Sequence, residues 1–212
     1  MKVGLVITVF NRPKYLSQTL DSLKRSCLKD TTIYLIDDCS TNKETHRLFD
    51  EFSINDVPIL KIKNTRNEGM FNGLKKGFKY FFDNGFDVIT NLDSDTLVKP
   101  YWLQVLLDLY QENKNNLISG FNTPAFASTE QYETYHVKSK IGGINLLFDR
   151  SLCQLVISCL NRIGWDMVLS DVIRDNGHKI MVTYPSVIHH LGTQSTVGNK
   201  YNDHGNIWIG KK

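Results

Sequence analysis

Apolar and polar positions change period repeatedly along this chain. Residues 3–9, VGLVITV, form a short apolar run rich in β-branched side chains, the pattern of a buried strand. Asn11-Arg12-Pro13 breaks that run and opens a helix on which Leu16, Leu20, Leu23 and Cys27 recur at helical spacing. The pattern then predicts a strand over 32–36, a short helix with Leu48, Phe49 and Phe52 on one side, and a strand over 57–62. After a polar loop at 64–69, a helix carries Leu74, Phe78 and Phe81 as its core stripe. Gly69, Gly73 and Gly77 stand four apart on it, a row without side chains that allows close approach to a neighbour or ligand. A strand over 87–92, a helix over 100–113 and a strand over 117–121 complete this half.

Repeated β-α units imply a mostly parallel sheet with helices on both faces. The second half departs from that rhythm. Residues 122–140 are polar and irregular, with Tyr132, Tyr135 and His136, and loops of this length are usually functional or mobile. Gly142-Gly143 precedes a strand over 144–148, followed by helices over 151–160 and 165–176, the latter stopped by Gly177. A strand over 179–183 follows. From Ser186 the chain reads as loop, with His189, His190, Gly192, Ser195, Thr196 and Gly198. The expected organisation is one α/β domain over 1–212, with a ligand-binding half at 1–121 and a second half at 122–212. The end at Trp208 to Lys212 shows no evident finish, which leaves room for a longer protein.

Composition narrows the class without deciding it. The chain has 212 residues, 41% hydrophobic and 22% charged, enough for one soluble domain with a substantial core. A net charge of +3 suits an anionic ligand but is too weak to argue for nucleic acid. No apolar run is long enough for a membrane span, and Met1-Lys2 leads straight into the first strand with no signal pattern. Cys27, Cys39, Cys153 and Cys159 show no CxxC spacing and read as free thiols in a reducing compartment, which points to the cytoplasm.

Candidate chemistry lies where strands end. Asp93-Ser94-Asp95 follows the strand at 87–92; two carboxylates there can hold a hard divalent cation such as Mg²⁺ or Mn²⁺, with a diphosphate completing its shell, or can be solvated turn residues. Thr8-Val9-Phe10-Asn11-Arg12 and Asp37-Asp38-Cys39-Ser40 share that edge. A carboxylate there can accept from a base N–H or a ribose hydroxyl, or cap a helix. Arg66 can fork onto a phosphate or carboxylate, or stand on the surface. Asp166 opens a helix beside Trp165; it is either a dipole partner or, with an indole that packs on sugar rings, part of a site. Asp171 and Asp175 read as solvated helix charges, and His189-His190 as loop residues or as the source of one metal ligand.

The ordered set VITVFNRPKYLSQTLDSL, YLIDDCST, NTRNEGMFNGLKKGF, NLDSD, GGINLLFDRS, GWDMVLSDVIRDNGHKI and HHLGTQST resembles family 2-type inverting glycosyltransferases of the GT-A fold over nearly the whole chain. The resemblance implies a nucleoside diphosphate sugar donor, a UDP-sugar as the commonest choice, with Mn²⁺ or Mg²⁺. It implies that Phe10, Arg12 and Asp38 hold the base and ribose with Thr8 nearby, and that Arg66 sits near the base or diphosphate. Asp95 would ligate the metal, Asp93 would lean toward ribose or water ligands, and His190 would be the added ligand, with His189 in reserve. Gly142, Gly143 and Trp165 would line the side of a glycan, glycoprotein or lipid-linked acceptor. Asp166 falls where the family has its catalytic base. Departures are Trp165-Asp166 for the usual Glu-Asp, Cys39 for a glycine, Phe71-Asn72-Gly73 for Ala-Arg-Asn, and no QxxRW-type motif, which points to single-sugar transfer.

Two other readings compete. A sugar nucleotidyltransferase would want a Gly-rich basic loop after the first strand, where Phe10-Asn11-Arg12-Pro13 stands. A non-catalytic nucleotide-sugar binding module is disfavoured by the joint presence of Asp93, Asp95, Asp166 and His190.

Overall fold

The computed structural model describes residues 1–161 and 163–192. The remainder of the HLGTQST motif from residue 193, with Ser195, Thr196, Gly198 and the 208–212 end, lies outside the described residues.

The first half alternates as its pattern predicts: β1 (Val3–Val9), α1 (Pro13–Lys24), β2 (Thr31–Asp37), α2 (Lys43–Glu51), β3 (Ile59–Lys63), α3 (Met70–Asp83) and β4 (Val88–Asn91). The strands β3, β2, β1 and β4 lie side by side and parallel. Pro13 opens α1, where its fixed φ suits a first turn and its missing N–H is no loss. The Asn42 carboxamide caps α2 by accepting from the N–H groups of Glu44 and Thr45.

The second half adds β5 (Thr96–Val98), α4 (Trp102–Glu112), β6 (Leu117–Ser119), β7 (Ser128–Gln131), β8 (Tyr135–Lys138), β9 (Leu147–Asp149), α5 (Arg150–Cys159), α6 (Trp165–Asp175), β10 (Ile180–Thr183) and β11 (Ile188–His190). The large sheet runs β3-β2-β1-β4-β9-β6-β10-β8-β7. Strand β9 is antiparallel to both β4 and β6, and β8 is antiparallel to β10 and β7. Two reversals through β9 leave β6 and β10 running with β1 and β4, so all their carboxyl ends meet one edge.

Two stretches read as loop contain strands. Residues 128–138 form the β7–β8 hairpin, whose Ser-Thr-Glu-Gln strand has no apolar alternation to announce it. Strands β5 and β11, three residues each, pair antiparallel as a separate small sheet. The strand expected at 144–148 begins only at Leu147, and the one expected at 117–121 ends at Ser119.

The core is split by the sheet. One side packs Leu5, Ile7, Leu16, Leu20, Phe49, Trp102 and Leu106 under α1, α2 and α4; the other packs Phe78, Phe81, Phe148, Leu152, Leu169 and Ile173 under α3, α5 and α6. The glycine row on α3 is where that helix meets β1. A Cβ at Gly77 would stand 2.6 Å from both Val6 methyls, and one at Gly73 would stand 2.9 Å from the Thr8 methyl. Reciprocally, a Cβ at Gly4 would meet the Phe81 ring at 2.3 Å. The described cysteines are free thiols, and no described helix is long and apolar enough to cross a membrane.

Gly77→Ala should therefore destabilise the protein by about 1–3 kcal/mol through overpacking against Val6. A Cβ at Gly142 meets nothing within 4 Å, so Gly142→Ala should stay within about 0.5 kcal/mol. Urea unfolding of both variants checks this; equal midpoints would mean α3 can lift off β1 at no cost.

Candidate active site

The site is assembled at the carboxyl edge from five separate turns. After β1, Asn11 and Arg12 both adopt left-handed backbone, at φ 53° and 55°. Non-glycine residues seldom do so, and the conformation is held by contacts from the turn after β2. The Asn11 N–H donates to Ser40 Oγ at 2.8 Å, and the Asn11 Oδ1 accepts from the Thr41 and Asn42 N–H groups at 2.9 and 3.0 Å. This clip leaves Phe10 exposed at the lip. It also turns Arg12 inward, its guanidinium 4.5 Å from the Tyr15 ring and its Nη1 2.7 Å from Asp95 Oδ2. Thr8 lies half-buried below, against Gly73.

After β2, Asp38 is buried and turned toward the chain itself. Its Oδ1 accepts from Asn64 Nδ2 and the Glu68 N–H, and its Oδ2 accepts from the Gly69 N–H, all at 2.8–2.9 Å. Asp38 thus anchors the 64–69 loop. Arg66, on that loop, is 83% exposed and points to solvent, 4.0 Å from Glu68. Cys39, standing where a glycine is usual, takes φ 62°, the left-handed backbone that explains the usual residue.

Beyond β4 the chain bends so that the Asp93 N–H donates to the Ile144 carbonyl at 3.0 Å and the Thr96 hydroxyl donates to the Asp93 carbonyl at 2.8 Å. The β5–β11 pairing sets His190 opposite Thr96, and the Leu191 N–H donates to the Asp95 carbonyl at 2.7 Å. His190 Nε2 then lies 3.2 Å from Asp95 Oδ2. Side chains alternate along a strand, so His189 is carried to the other side.

Asp166 sits in the first turn of α6. Its Oδ2 accepts from the Gly143 N–H at 3.1 Å and its Oδ1 from the Met167 N–H at 3.0 Å. Trp165 beside it is 3% exposed, its indole against Gly143, where a Cβ would stand 2.5 Å from the ring. The ring is a wall behind Gly143 and offers no open face to a sugar. Around Gly142 there is free space.

The electrostatics follow from this crowding. Burial pushes the Asp93 carboxyl well above its ordinary range, and the charges of Asp95 and Asp166 push it further, against the pull of His190 and Arg12. Burial also opposes ionisation of Asp95, but its hydrogen bond with His190 and the charges of His190 and Arg12 bring it below the ordinary value. Asp166 is raised by burial, in part offset by the N–H groups of Gly143 and Met167.

The donor types fit a hard divalent cation. Two carboxylates and an imidazole suit Mn²⁺ or Mg²⁺, and a cation would relieve the pressure on Asp93. A Cβ at Gly192 would stand 2.6 Å from Asp95 Oδ2 and 2.8 Å from His190 Nε2, so glycine keeps open the space over this pair. Among the described residues no three His, Cys, Asp or Glu side chains are grouped around one point as ligands, since Asp95 is turned to Arg12 and His190.

The family model for glycosyl transferase family 2 matches residues 5–167, the span that carries all these turns except β11. The chain belongs to glycosyltransferase family 2. Its GT-A architecture is that of GalNAc-T7, solved with UDP, GalNAc and Mn²⁺, which it matches at a TM-score of 0.71 and 15% identity over 90% of this chain and 44% of that one. Staphylococcus aureus TarS matches at 0.64 and 15% identity, over 86% and 35%. In sequence this family 2 chain is 26% identical over 122 residues to a glucosyl-dolichyl phosphate glucuronosyltransferase of Haloferax volcanii, covering 57% of this chain and 37% of that protein. An uncharacterised glycosyltransferase of Methanocaldococcus jannaschii is 27% identical over 114 residues, covering 53% and 38%. The matches span well under half the length of these curated relatives.

Sequence reasoning placed Asn11 at the edge without giving it a role and missed Thr96, Asn91 and Asn145; all four hold the turns of the site. The available signal was a buried-strand pattern, Val-Ile-Thr-Asn, ending on an amide.

A carboxyl whose pKa is raised in the folded state costs stability wherever the unfolded chain ionises it more readily. Below its unfolded pKa Asp93 is neutral in both states; as pH rises from there toward the higher folded value the unfolded chain gives up its proton first and the folded protein loses stability. In metal-free buffer, Asp93→Asn should raise the melting temperature at pH 8 by about 2–4 °C, the shift expected for about 1 kcal/mol at this size. The gain should shrink toward pH 5. A gain independent of pH would show that Asp93 ionises freely.

Proposed function

We propose that this chain is a metal-dependent, inverting glycosyltransferase that moves one sugar from a nucleoside diphosphate sugar, a UDP-sugar, to a hydroxyl of a glycan, glycoprotein or lipid-linked acceptor. The carrying observation is Asp166, a half-buried carboxylate fixed by two backbone N–H groups and close enough to Asp93 for its charge to raise that residue's pKa. The single domain over 1–212 then divides into a donor half, 1–121, and an acceptor half, 122–212. The reading also places it in the cytoplasm, free or at a membrane surface.

Asp95 and His190 would hold Mn²⁺ or Mg²⁺. When bound, the ion supplies Lewis-acid stabilisation of the departing diphosphate. Asp93 reaches toward ribose or the ion's water ligands. Phe10 presents an exposed ring at the lip for the base, with Thr8 and Arg12 beneath it. Asp38 acts on the donor through the 64–69 loop that it anchors, and Arg66 on that loop is free to fold onto the base or diphosphate as a planar fork. On the far side, Gly142 leaves room for an acceptor, and Trp165 fixes Gly143 beneath it.

Asp166 accepts the proton of the acceptor hydroxyl as that oxygen attacks the anomeric carbon from the face opposite the leaving group. Burial raises the pKa of this carboxylate and makes it a stronger base than a solvated aspartate, while the N–H groups of Gly143 and Met167 oppose that rise and aim it. One displacement inverts the centre, and no enzyme nucleophile is needed.

Titration calorimetry with UDP, GDP and dTDP, each with and without Mn²⁺, tests the donor side. UDP should bind tightly only with metal. Asp95→Ala should abolish the metal-dependent part, and His190→Ala should weaken it more than His189→Ala. No nucleotide binding to folded protein with Mn²⁺ present would sink the assignment. Asp166→Asn should leave UDP and Mn²⁺ binding intact and lower transfer by about 10²–10⁴-fold, the usual contribution of a general base. Transfer at near wild-type rate would remove Asp166 from that role.

A further inference from the structure

The end of β4 carries an amide that the transfer chemistry does not use. Asn91 is fully buried, in a strand otherwise made of Val88, Ile89 and Thr90. A buried carboxamide without partners costs a few kcal/mol, so its partners state what it is for. Its Nδ2 donates to the Gly143 carbonyl at 2.9 Å and lies 3.4 Å from that of Ile144. Its Oδ1 accepts from the Leu146 N–H at 3.0 Å. Its own carbonyl accepts from Asn145 Nδ2 at 2.7 Å. Asn145, also fully buried, accepts the Gly120 N–H through Oδ1 at 2.9 Å.

These two amides reinforce the seam at the end of the ladder. The registered pairing of β9 with β4 begins at Leu147, and before it the Asn91 N–H donates to the Leu146 carbonyl and the Asp93 N–H to the Ile144 carbonyl. The side-chain amides add bonds to the Gly143 carbonyl, the Leu146 N–H and the Asn91 carbonyl that these backbone groups do not supply. The stretch from Gly143 to Leu146 is thereby fixed against the end of β4.

Gly143 is then held from three directions. Its carbonyl is fixed by Asn91, a Cβ is excluded by Trp165, and its N–H donates to Asp166 Oδ2. With Oδ1 taken by the Met167 N–H, the rotation of the Asp166 carboxylate is set by Gly143. A line of contacts thus runs from Asn91, two residues before Asp93, through the two peptide units that meet at the Gly143 Cα, to the carboxylate across the cleft.

We propose that Asn91 is a positioning residue for the proton-accepting carboxylate, acting by clamping Gly143 so that its N–H orients Asp166. This deepens the transferase reading and rests on it. A merely structural role in the β4–β9 seam would weaken the fold and, through Asp93, donor binding as well.

The test uses full-length protein and the nucleotide sugar that wild type turns over in a panel of UDP-, GDP- and dTDP-sugars. Asn91→Asp keeps the acceptor for Leu146 and removes the donor to Gly143. Its kcat should fall about 10–100-fold, the cost of a small misplacement of a reacting group. The Kd for UDP with Mn²⁺ should stay within about threefold, less than 1 kcal/mol of binding free energy. In an Asp166→Asn background the same change should cause no further loss, because residues that act as one unit are not additive. Gly143→Ala, which pushes on Trp165 from the other end of the line, is the second variant should Asn91→Asp fail to fold, and should give the same kcat-only loss. Hydrogen exchange at the Gly143 amide should accelerate in Asn91→Asp while amides of β1 keep their protection. Equal losses of kcat and UDP affinity, or a full further loss in the Asp166→Asn background, would overturn the proposal. Wild type that binds no nucleotide and turns over no donor would instead overturn the transferase reading, and the exchange measurement would still decide whether Asn91 fixes Gly143.

Discussion

Three carboxylates share one partly desolvated cleft, and the architecture of the carboxyl edge answers that crowding. Like charges at a few ångströms repel by several kcal/mol at the effective dielectric of a protein surface. The side chains that oppose them come from elsewhere in the chain. Arg12 arrives from the turn after β1, and His190 from β11, brought in by its pairing with β5. Each arrival has a structural cost. Two successive left-handed residues at Asn11 and Arg12 are held by the hydrogen bonds of Asn11 to the 40–42 turn. The β5–β11 sheet is too short to stand alone and is fastened by the Thr96 N–H to Thr19 and the Leu191 N–H to Asp95. Strain and short strands gather where charge must be compensated.

Close approach, set by glycine, is the second organising feature. Gly73 and Gly77 let α3 lie on β1 above Thr8 and Val6, Gly143 admits the Trp165 ring, and Gly192 clears the space over Asp95 and His190. The first pair sets the floor beneath the donor loop, the second the wall behind Asp166, and the third the opening where a cation would enter. Each works by the absence of one carbon atom.

The elements that sequence patterning found are those whose partners are local or whose burial is complete. β1, β2 and β4 are continuous apolar runs buried on both faces, and α1 and α3 carry regular stripes, so period alone announces them. The site residues at their ends were legible for the same reason: once a parallel sheet is accepted, its carboxyl edge gathers them. What escaped depends on distant pairing. The β5–β11 sheet joins residues 90 to 94 positions apart over three residues each. The β7–β8 hairpin is half-exposed and polar, so no hydrophobic alternation marks it. Asp38 read as a ligand-facing carboxylate, and in the fold both its oxygens accept from the 64–69 loop. Trp165 read as a sugar platform, yet it is packed inside. In both cases residue type was legible and direction was not, because direction is set by neighbours far along the chain.

The position of Asp166 resolves a conflict that any buried base faces. Desolvation strengthens a carboxylate as a base by raising its pKa, but carried too far it leaves the group protonated and useless at neutral pH. The first turn of a helix opposes that drift, since its unpaired N–H groups and the helix dipole favour negative charge. Asp166 accepts from the Met167 N–H, which it shares with the Gly164 carbonyl, and from the Gly143 N–H, outside the helix. The net shift is upward, so burial wins, but two fixed donors limit it. Those donors also fix the carboxylate plane. Burial therefore supplies the basicity, while the same two hydrogen bonds temper it and set the aim, and the one that lies outside the helix depends on how Gly143 is held against the end of β4.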